Sequence, residues 1–214
     1  EFPEQALRIN VAAHLTRMDD FQASSYDGTS FILRNAGKRT ASGLELELFW
    51  QPAQDTEFSL AYAYINNEFN EYEGAACWVA TPAHTGIADP SQDANGFCNR
   101  SGEGDPNHFA TLGLKQSFIL ADGIESYVFG EYSYTTELDR SRDPLKARAG
   151  YGLLNLRAGA YFEDAQINLT LWGRNVLGEE YLAGDTIDAP IQEGKLLGFA
   201  GAPATYGITL NKDF

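Results

Sequence analysis

Apolar residues recur at every second position along most of this chain, and no other feature narrows its folding options as much. Leu7, Ile9, Val11, Ala13 and Leu15 share one parity, and Arg8, Asn10, His14 and Thr16 the other. That is the spacing of an extended strand, which sends successive side chains to opposite faces. The pattern returns in Leu44, Leu46, Leu48 and Trp50 against Glu45, Glu47 and Gln51, and in Phe58, Leu60, Tyr62 and Tyr64 against small residues. Ala110, Leu112 and Leu114 oppose Thr111, Gly113 and Lys115, while Leu154, Leu156, Ala158, Ala160 and Phe162 oppose Asn155, Arg157 and Gly159. Ile167, Leu169 and Leu171 oppose Asn168 and Thr170, and Tyr206, Ile208, Leu210 and Phe214 carry the last segment. Residues 124–136 are aromatic on both parities and count as a strand through their Tyr, Phe and Val content.

Eight strands are therefore predicted, at 6–22, 30–51, 56–70, 107–120, 124–137, 150–162, 165–175 and 204–214. Their connections alternate between tight turns (52–55, 121–123, 163–164) and longer loops (23–29, 71–106, 138–149, 176–203). A meander with all its turns short at one end and its loops long at the other is the arrangement of an outer-membrane β-barrel, with the turns periplasmic and the loops extracellular. The two parities differ in polarity as that reading requires. Arg8, Glu45, Glu47, Lys115 and Arg157 oppose the Leu/Ile stripe and are expected to face the lumen. Lys212 is the one charge read on the apolar parity, and its place near the chain end puts it at interface depth. The competing readings are a soluble barrel with the apolar stripe inward around a ligand, and a complete eight-stranded membrane barrel with a structural or adhesive role.

Composition sharpens the choice. The 214 residues carry 30 acidic and 15 basic side chains, a formal charge of −15, which excludes the clustered cations a nucleic acid demands. No run of about 18 apolar residues is present to form a membrane-spanning helix, a test to which strands are blind. Glu1 reads as a mature terminus or as a cut inside a longer protein. The two cysteines, Cys77 and Cys98, lie in one Gly/Pro/Asp-rich segment and are too few for a four-ligand zinc site. A loop disulfide is expected, worth about 3 kcal/mol by loop entropy and implying an oxidising compartment; the alternative is two unpaired thiols.

Three segments resemble the barrel strands of TonB-dependent outer-membrane receptors. Asn35-Ala36-Gly37-Lys38 followed by Ser42-Gly43-Leu44-Glu45-Leu46-Glu47 is similar to an internal barrel strand of that family. The run from Gly173-Arg174-Asn175 to Glu179-Glu180-Tyr181 resembles the penultimate strand, with Gly178 where the family often has Asp. Gly201-Ala202-Pro203-Ala204-Thr205-Tyr206-Gly207 leading to Phe214 resembles the closing strand, with Ala204 where Arg is common. Together the matches cover the whole chain. The resemblance implies an all-β, antiparallel transmembrane barrel of which residues 1–214 are the eight C-terminal strands out of about 22, with residues 1–5 a periplasmic turn. Tyr206, Ile208, Leu210 and Phe214 would then be the C-terminal assembly signal. It also implies energy-coupled uptake of a bulky nutrient such as a ferric siderophore, with no cofactor of the protein's own. The implied partners are outer-membrane lipid and lipopolysaccharide, the N-terminal barrel and plug of the same receptor, and the TonB complex acting through that plug. The first strand is expected to pair with another part of the receptor rather than with 204–214.

Ligand contacts are expected from the loops. The 71–106 loop is too long for a plain connector and offers Trp78, His84, Phe97 and Arg100, held by Cys77–Cys98; the 138–149 loop offers Arg140 and Arg142 beside Lys146 and Arg148. These cations suit an anionic ferric chelate or lipopolysaccharide phosphate, and ordinary solvated surface is the bland alternative. His14, His84 and His108 are scattered and no metal site is expected. Catalysis is not expected either, since no Ser-His or nucleophile-elbow pattern occurs, and Glu45/Glu47 read as lumen carboxylates with Arg8 as a cross-strand partner.

Overall fold

The computed structural model describes residues 6–26, 30–35, 37–75, 77–78, 89–137, 145–184, 186–188 and 195–212. In chain order the strands are β1 (Leu7–Asp19), β2 (Gln22–Tyr26), β3 (Phe31–Asn35), β4 (Lys38–Ala53), β5 (Thr56–Glu71), β6 (Glu103–Ala121), β7 (Ile124–Thr135), β8 (Tyr151–Phe162), β9 (Ile167–Arg174), β10 (Ile187–Asp188), β11 (Leu196–Leu197) and β12 (Thr205–Lys212). Eight of them form one sheet in the order β1-β4-β5-β6-β7-β8-β9-β12, with every pairing antiparallel. The short pairs β2–β3 and β10–β11 stand at the loop end of that sheet. The expected strand at 30–51 is two strands. Asn35 accepts a hydrogen bond from the Gly37 amide at 2.8 Å, the Asx-type bond that turns a chain. Gly37 itself has φ +74°, and a Cβ there would sit 2.9 Å from the Glu71 carbonyl oxygen. The expected start of β6 at 107 moves to Glu103, because Gly104 and Asp105 still pair with Glu68 and Asn67 of β5.

Register fixes which side chains share a face. One row across the sheet reads Leu7, Trp50, Phe58, Leu114, Gly130, Leu156, Gly173, Tyr206. The next parity reads Arg8, Phe49, Ser59, Gly113, Glu131, Asn155, Arg174, Thr205. The Leu/Ile stripe thus runs unbroken over one face, and the charges occupy the other. Lys212 is not alone on the apolar side, as the sequence suggested: Arg17, Asp19, Lys38 and Glu68 also fall there through the pairs Arg17↔Thr40, Asp19↔Lys38 and Thr40↔Glu68. All four lie at the loop end of β1, β4 and β5, above the apolar band, where a charge is cheap in a membrane.

Neither face supplies a dry core. The buried hydrophobic residues of the described chain are Tyr72, Ala75 and Cys98, and all three belong to the loop between β5 and β6. On the apolar face Val11 is 66% exposed, Leu114 52%, Leu171 50% and Ile208 71%. Leu156 is exposed as well, and Leu46 and Leu169 sit in rows of the same open face. A water-soluble barrel would cover this stripe around a ligand; in this open sheet it is left uncovered.

The rows also show a stagger of the strand ends. Thr56, Gln116, Val128 and Ala158 are mutually opposed, yet the turns after β6 and β8 share the row Ile124↔Phe162↔Ile167, four residues farther on. Offset strand ends are what tilted strands produce, and a closed barrel requires tilt. β1 and β12 each have one neighbour in the sheet, so eight strands do not close on themselves. The segment is an open arc of a larger ring.

Two neighbouring substitutions on β5 test the faces. Leu60→Lys, on the apolar side, is expected to cost about 2–4 kcal/mol in denaturant unfolding from lipid vesicles, and Ala61→Lys to stay within about 0.5 kcal/mol. Equal costs would contradict the assignment.

Candidate functional site at the loop end

The chain between β5 and β6 continues their hairpin past the sheet. Arg100 and Gly102 amides donate to the carbonyls of Tyr72 and Phe69 at 2.8 and 2.6 Å. Ala75 and Cys98 exchange both backbone bonds, at 2.9 and 3.0 Å. The Cys77–Cys98 disulfide spans the same ladder, with Cα atoms 5.2 Å apart. Tyr72 and Ala75 form a small core, against which Phe69 of β5 and Phe21 and Ala23 of the β1–β2 segment pack. Burial pushes the Tyr72 hydroxyl above its ordinary pKa, although Arg34 and Arg100 pull the other way. The tip is organised by Asp93, whose Oδ1 accepts from the amides of Phe97 at 2.9 Å and Asn95 at 2.8 Å. Those bonds, the one from Phe97 foremost, hold its carboxyl below the usual range.

Asp89 is the electrostatic centre of this module. It is 3% exposed and accepts from the Ser91 amide (3.0 Å) and hydroxyl (2.8 Å), the Trp78 amide (3.3 Å) and Arg100 Nη2 (2.5 Å). Burial alone would raise its pKa, but the Ser91 bonds, the Arg100 charge and the Trp78 amide outweigh it and the carboxyl lies below the ordinary value. Arg100, 8% exposed, also reaches Glu103 at 3.4 Å and lies over the Trp78 ring at 5.6 Å. Cys77, Asp89 and Cys98 place three donor atoms within 4.8 Å of one another. The two sulfurs are spent on each other, however, and offer no thiolate to a metal.

Cations here meet carboxylates, aromatic rings or both. Lys38 and Lys115 are paired with Glu71 and Glu57 at 2.5 and 2.9 Å, and Lys115 also lies 5.9 Å from the centre of the Tyr127 ring. Five arginines lie over rings: Arg34 over Phe97 (4.6 Å), Arg39 over Phe21 (4.9 Å) and Phe69 (5.5 Å), Arg8 over Phe49 (5.9 Å), Arg157 over Phe129 (5.7 Å) and Arg174 over Trp172 (5.3 Å). A delocalised, weakly hydrated guanidinium stacks well, and stacking leaves its in-plane N–H donors for a further partner. None of these five arginines has a carboxylate within ion-pair distance among the described residues. They line the polar face and its loop end.

The loop fold thus brings Trp78, Phe97 and Arg100 together beside the Cys77–Cys98 link. Phe97 is open to solvent, whereas Arg100, the other candidate ligand contact beside it, is buried and bonded to Asp89 and Glu103. His84, Arg140, Arg142 and Phe214 lie outside the described residues, as do residues 1–5. Arg8, Glu45, Glu47, Lys115 and Arg157 share the polar face. Glu47 is bonded by Asn10 at 3.2 Å, not by Arg8, whose cross-strand neighbour is Phe49. Tyr206, Ile208 and Leu210 point to the apolar side of β12. Sequence reasoning passed over Arg34, Arg39 and Asp89, whose partners are remote in the chain. It quoted Asn175 only as part of a motif. That residue, buried at φ +49°, donates from Nδ2 to the carbonyls of Glu179 and Ala202 at 2.8 and 3.1 Å and accepts from the Glu179 amide at 2.9 Å, tying both arms of the β9–β12 loop.

Asp89→Ala strands a buried guanidinium and should destabilise the module by about 3–5 kcal/mol, read as faster hydrogen exchange at 72–75 and 98–102 with the strand amides unchanged. Cys77→Ser should loosen the same loop and leave heat-modifiable mobility of the wall intact. Because the Asp89 carboxyl is depressed, its contribution is full above the unfolded value of about 3.9 and is lost as pH falls through the lowered folded value. Loop exchange, corrected for its intrinsic rate, should therefore stay flat from neutrality to about pH 4 and rise only in stronger acid; a rise near pH 6 would contradict this.

Residues 1–176 match the family described as TonB dependent receptor-like, beta-barrel. No match was found among curated proteins or solved structures. With the open antiparallel sheet, the uncovered apolar stripe and the long loops at one end already in place, that match covers most of the strands described above. The chain belongs to the TonB-dependent receptor β-barrel family, outer-membrane receptors of Gram-negative cells whose business is transport and not catalysis.

Proposed function

We propose that this segment forms the C-terminal wall and part of the mouth of a receptor that takes up a bulky, scarce nutrient, with a ferric siderophore as the substrate class. Loops face the exterior, while the short turns and both chain ends face the periplasm. The plug of the same receptor occupies the lumen and carries the pull of the TonB complex. The observation that supports this best is the stapled module between β5 and β6, which sits at the long-loop end and sets Phe97 and Arg34 in an exposed stack. An aromatic ring backed by a guanidinium with spare donors suits a large, flat, anionic chelate. Trp78 lines the same module, and Arg140 and Arg142 add positive charge from the neighbouring loop, toward the chelate or toward lipopolysaccharide phosphate. Chemistry on the ligand is not part of the role, and no cofactor belongs to the wall itself.

Uptake of radiolabelled ferric chelates by intact cells tests the reading. The Phe97→Ala, Arg34→Ala pair is expected to lower TonB-dependent uptake roughly tenfold at unchanged surface abundance, the loss of one good contact. Uptake indifferent both to this change and to excision of 89–99 would remove the loop from the function. Orientation is read separately: a membrane-impermeant thiol reagent should label Leu177→Cys and spare Asp122→Cys on whole cells.

A further inference from the structure

Two arginines among the described residues are buried, Arg100 at 8% exposure and Arg148 at 9%. Arg100 is bonded to Asp89 and Glu103. Arg148 has no carboxylate within ion-pair distance among the described residues, and its one hydrogen bond is a long one, from Nη1 to the Leu182 carbonyl at 3.4 Å. Its Nε is enclosed and has no partner, and Nη2, on the same edge, makes no bond among the described residues. A guanidinium taken out of water without an anion is costly, and one stretched bond returns little of that cost. A second polar group beside it is unmet in the same way. Thr135, 7% exposed, has a buried hydroxyl without a partner and stands opposite Tyr151 in the β7–β8 register. Arg148 lies 5.2 Å from the centre of that same Tyr151 ring. Both unpaired groups thus border one residue at the loop end of β8, on the parity that Asn155 and Arg157 share.

The β9–β12 loop covers this spot. Tyr181 stacks on Tyr151 with ring centres 4.3 Å apart, and lies so close on the Gly201 backbone that a Cβ there would sit 2.2 Å from Tyr181 Cζ. The loop is a two-stranded ladder at this point, with the Ala183 amide donating to Phe199 and the Gly201 amide to Tyr181, both at 2.7 Å, so it shifts as one piece. We propose that Arg148 is a carboxylate-binding residue beneath this cover: a carboxylate on a small molecule takes the Nε–Nη2 edge as Tyr181 and Leu182 give way. That edge presents two parallel N–H groups to two coplanar oxygens, the bidentate match of arginine and carboxylate. A phosphate dianion carries more charge than one enclosed guanidinium balances. The exchange gives up one ring stack and one long hydrogen bond, and supplies the missing counter-charge. The site is separate from the Arg34–Phe97 stack and stands whether or not that stack receives a transported chelate.

NMR of the full-length receptor, labelled with nitrogen-15 at arginine and held in detergent micelles, tests the assignment, because the Nε–H resonance reports directly on a new bond at Nε. Arg148→Lys, or Arg148→Met where lysine does not reach the heat-modifiable folded form, identifies the resonance by its loss. Sodium succinate is expected to shift it saturably relative to sodium chloride at equal ionic strength, and inorganic phosphate to leave it in place. Tyr181→Ala removes the cover without touching Arg148 and should tighten succinate about fivefold, through loss of one competing aromatic contact. A resonance unmoved by succinate in both wild type and Tyr181→Ala, equal affinity with and without Tyr181, or a preference for phosphate would each overturn the proposal. Ferric citrate and iron-free citrate, run against bound succinate, tell the source of the carboxylate. Preferential displacement by the ferric form assigns it to the cargo, and equal displacement assigns it to a separate solute.

Discussion

In hydrocarbon an unpaired backbone amide has no water to accept it, and the wall of this protein is arranged around that constraint. Continuous ladders join the eight strands of the main sheet, and register shifts are confined to strand ends, at Lys38/Arg39, Trp50/Ala53 and Ile119/Ala121. A slip of one residue anywhere between would carry Leu, Ile and Phe to the polar face and Glu and Arg into lipid. Hydrogen bonding therefore sets the position of each strand, and the difference between the two solvents makes that position unique. The offset between the turn ends of β5 and of the strands after it is in keeping with the same constraint, since a ring with no edges must tilt its strands. The first and last strands keep an open edge here, consistent with an arc that continues into further strands.

Packing in such a wall is thin, and the side chains compensate pairwise. On the polar face Tyr127 covers Gly159 and Trp172 covers Gly207, each ring taking the place where a Cβ of the glycine would stand. Arg8, Arg157 and Arg174 lie over Phe49, Phe129 and Trp172 on the same face. These contacts are local to adjacent strands. The segment is stabilised as a repeated series of strand pairs and not by a central core, in keeping with the burial of hydrophobic residues, among those described, in the loop module alone.

That module is built on the opposite principle. Its disulfide, its Tyr72/Ala75 core and the buried Asp89–Arg100 pair form a small water-stable unit on the end of the β5–β6 hairpin. Packing against Phe21 and Ala23 and the Arg34–Phe97 stack join it to the β2–β3 hairpin. Two loops separated in sequence by β4 and β5 thereby form one surface at the loop end of the sheet.

Strand number, face polarity and the separation of loop lengths were legible in the sequence because each follows from local alternation: Leu44-Glu45-Leu46-Glu47 can satisfy only one placement between two unlike solvents. The Cys77–Cys98 pair was legible for a similar reason, being the chain's whole complement of cysteine. The break at Asn35–Lys38 was not, since β3 and β4 alternate alike and only the Asx bond and Gly37 divide them. Nor was the inward turn of Arg100, because charge type does not say whether a loop will supply a buried carboxylate such as Asp89. Sequence alone thus determined what each strand turns toward lipid and what toward water, since that depends on neighbours one and two residues away. Tertiary structure decided the register, the offset of the strand ends and the placing of arginines over rings, since each depends on residues that meet only across strands.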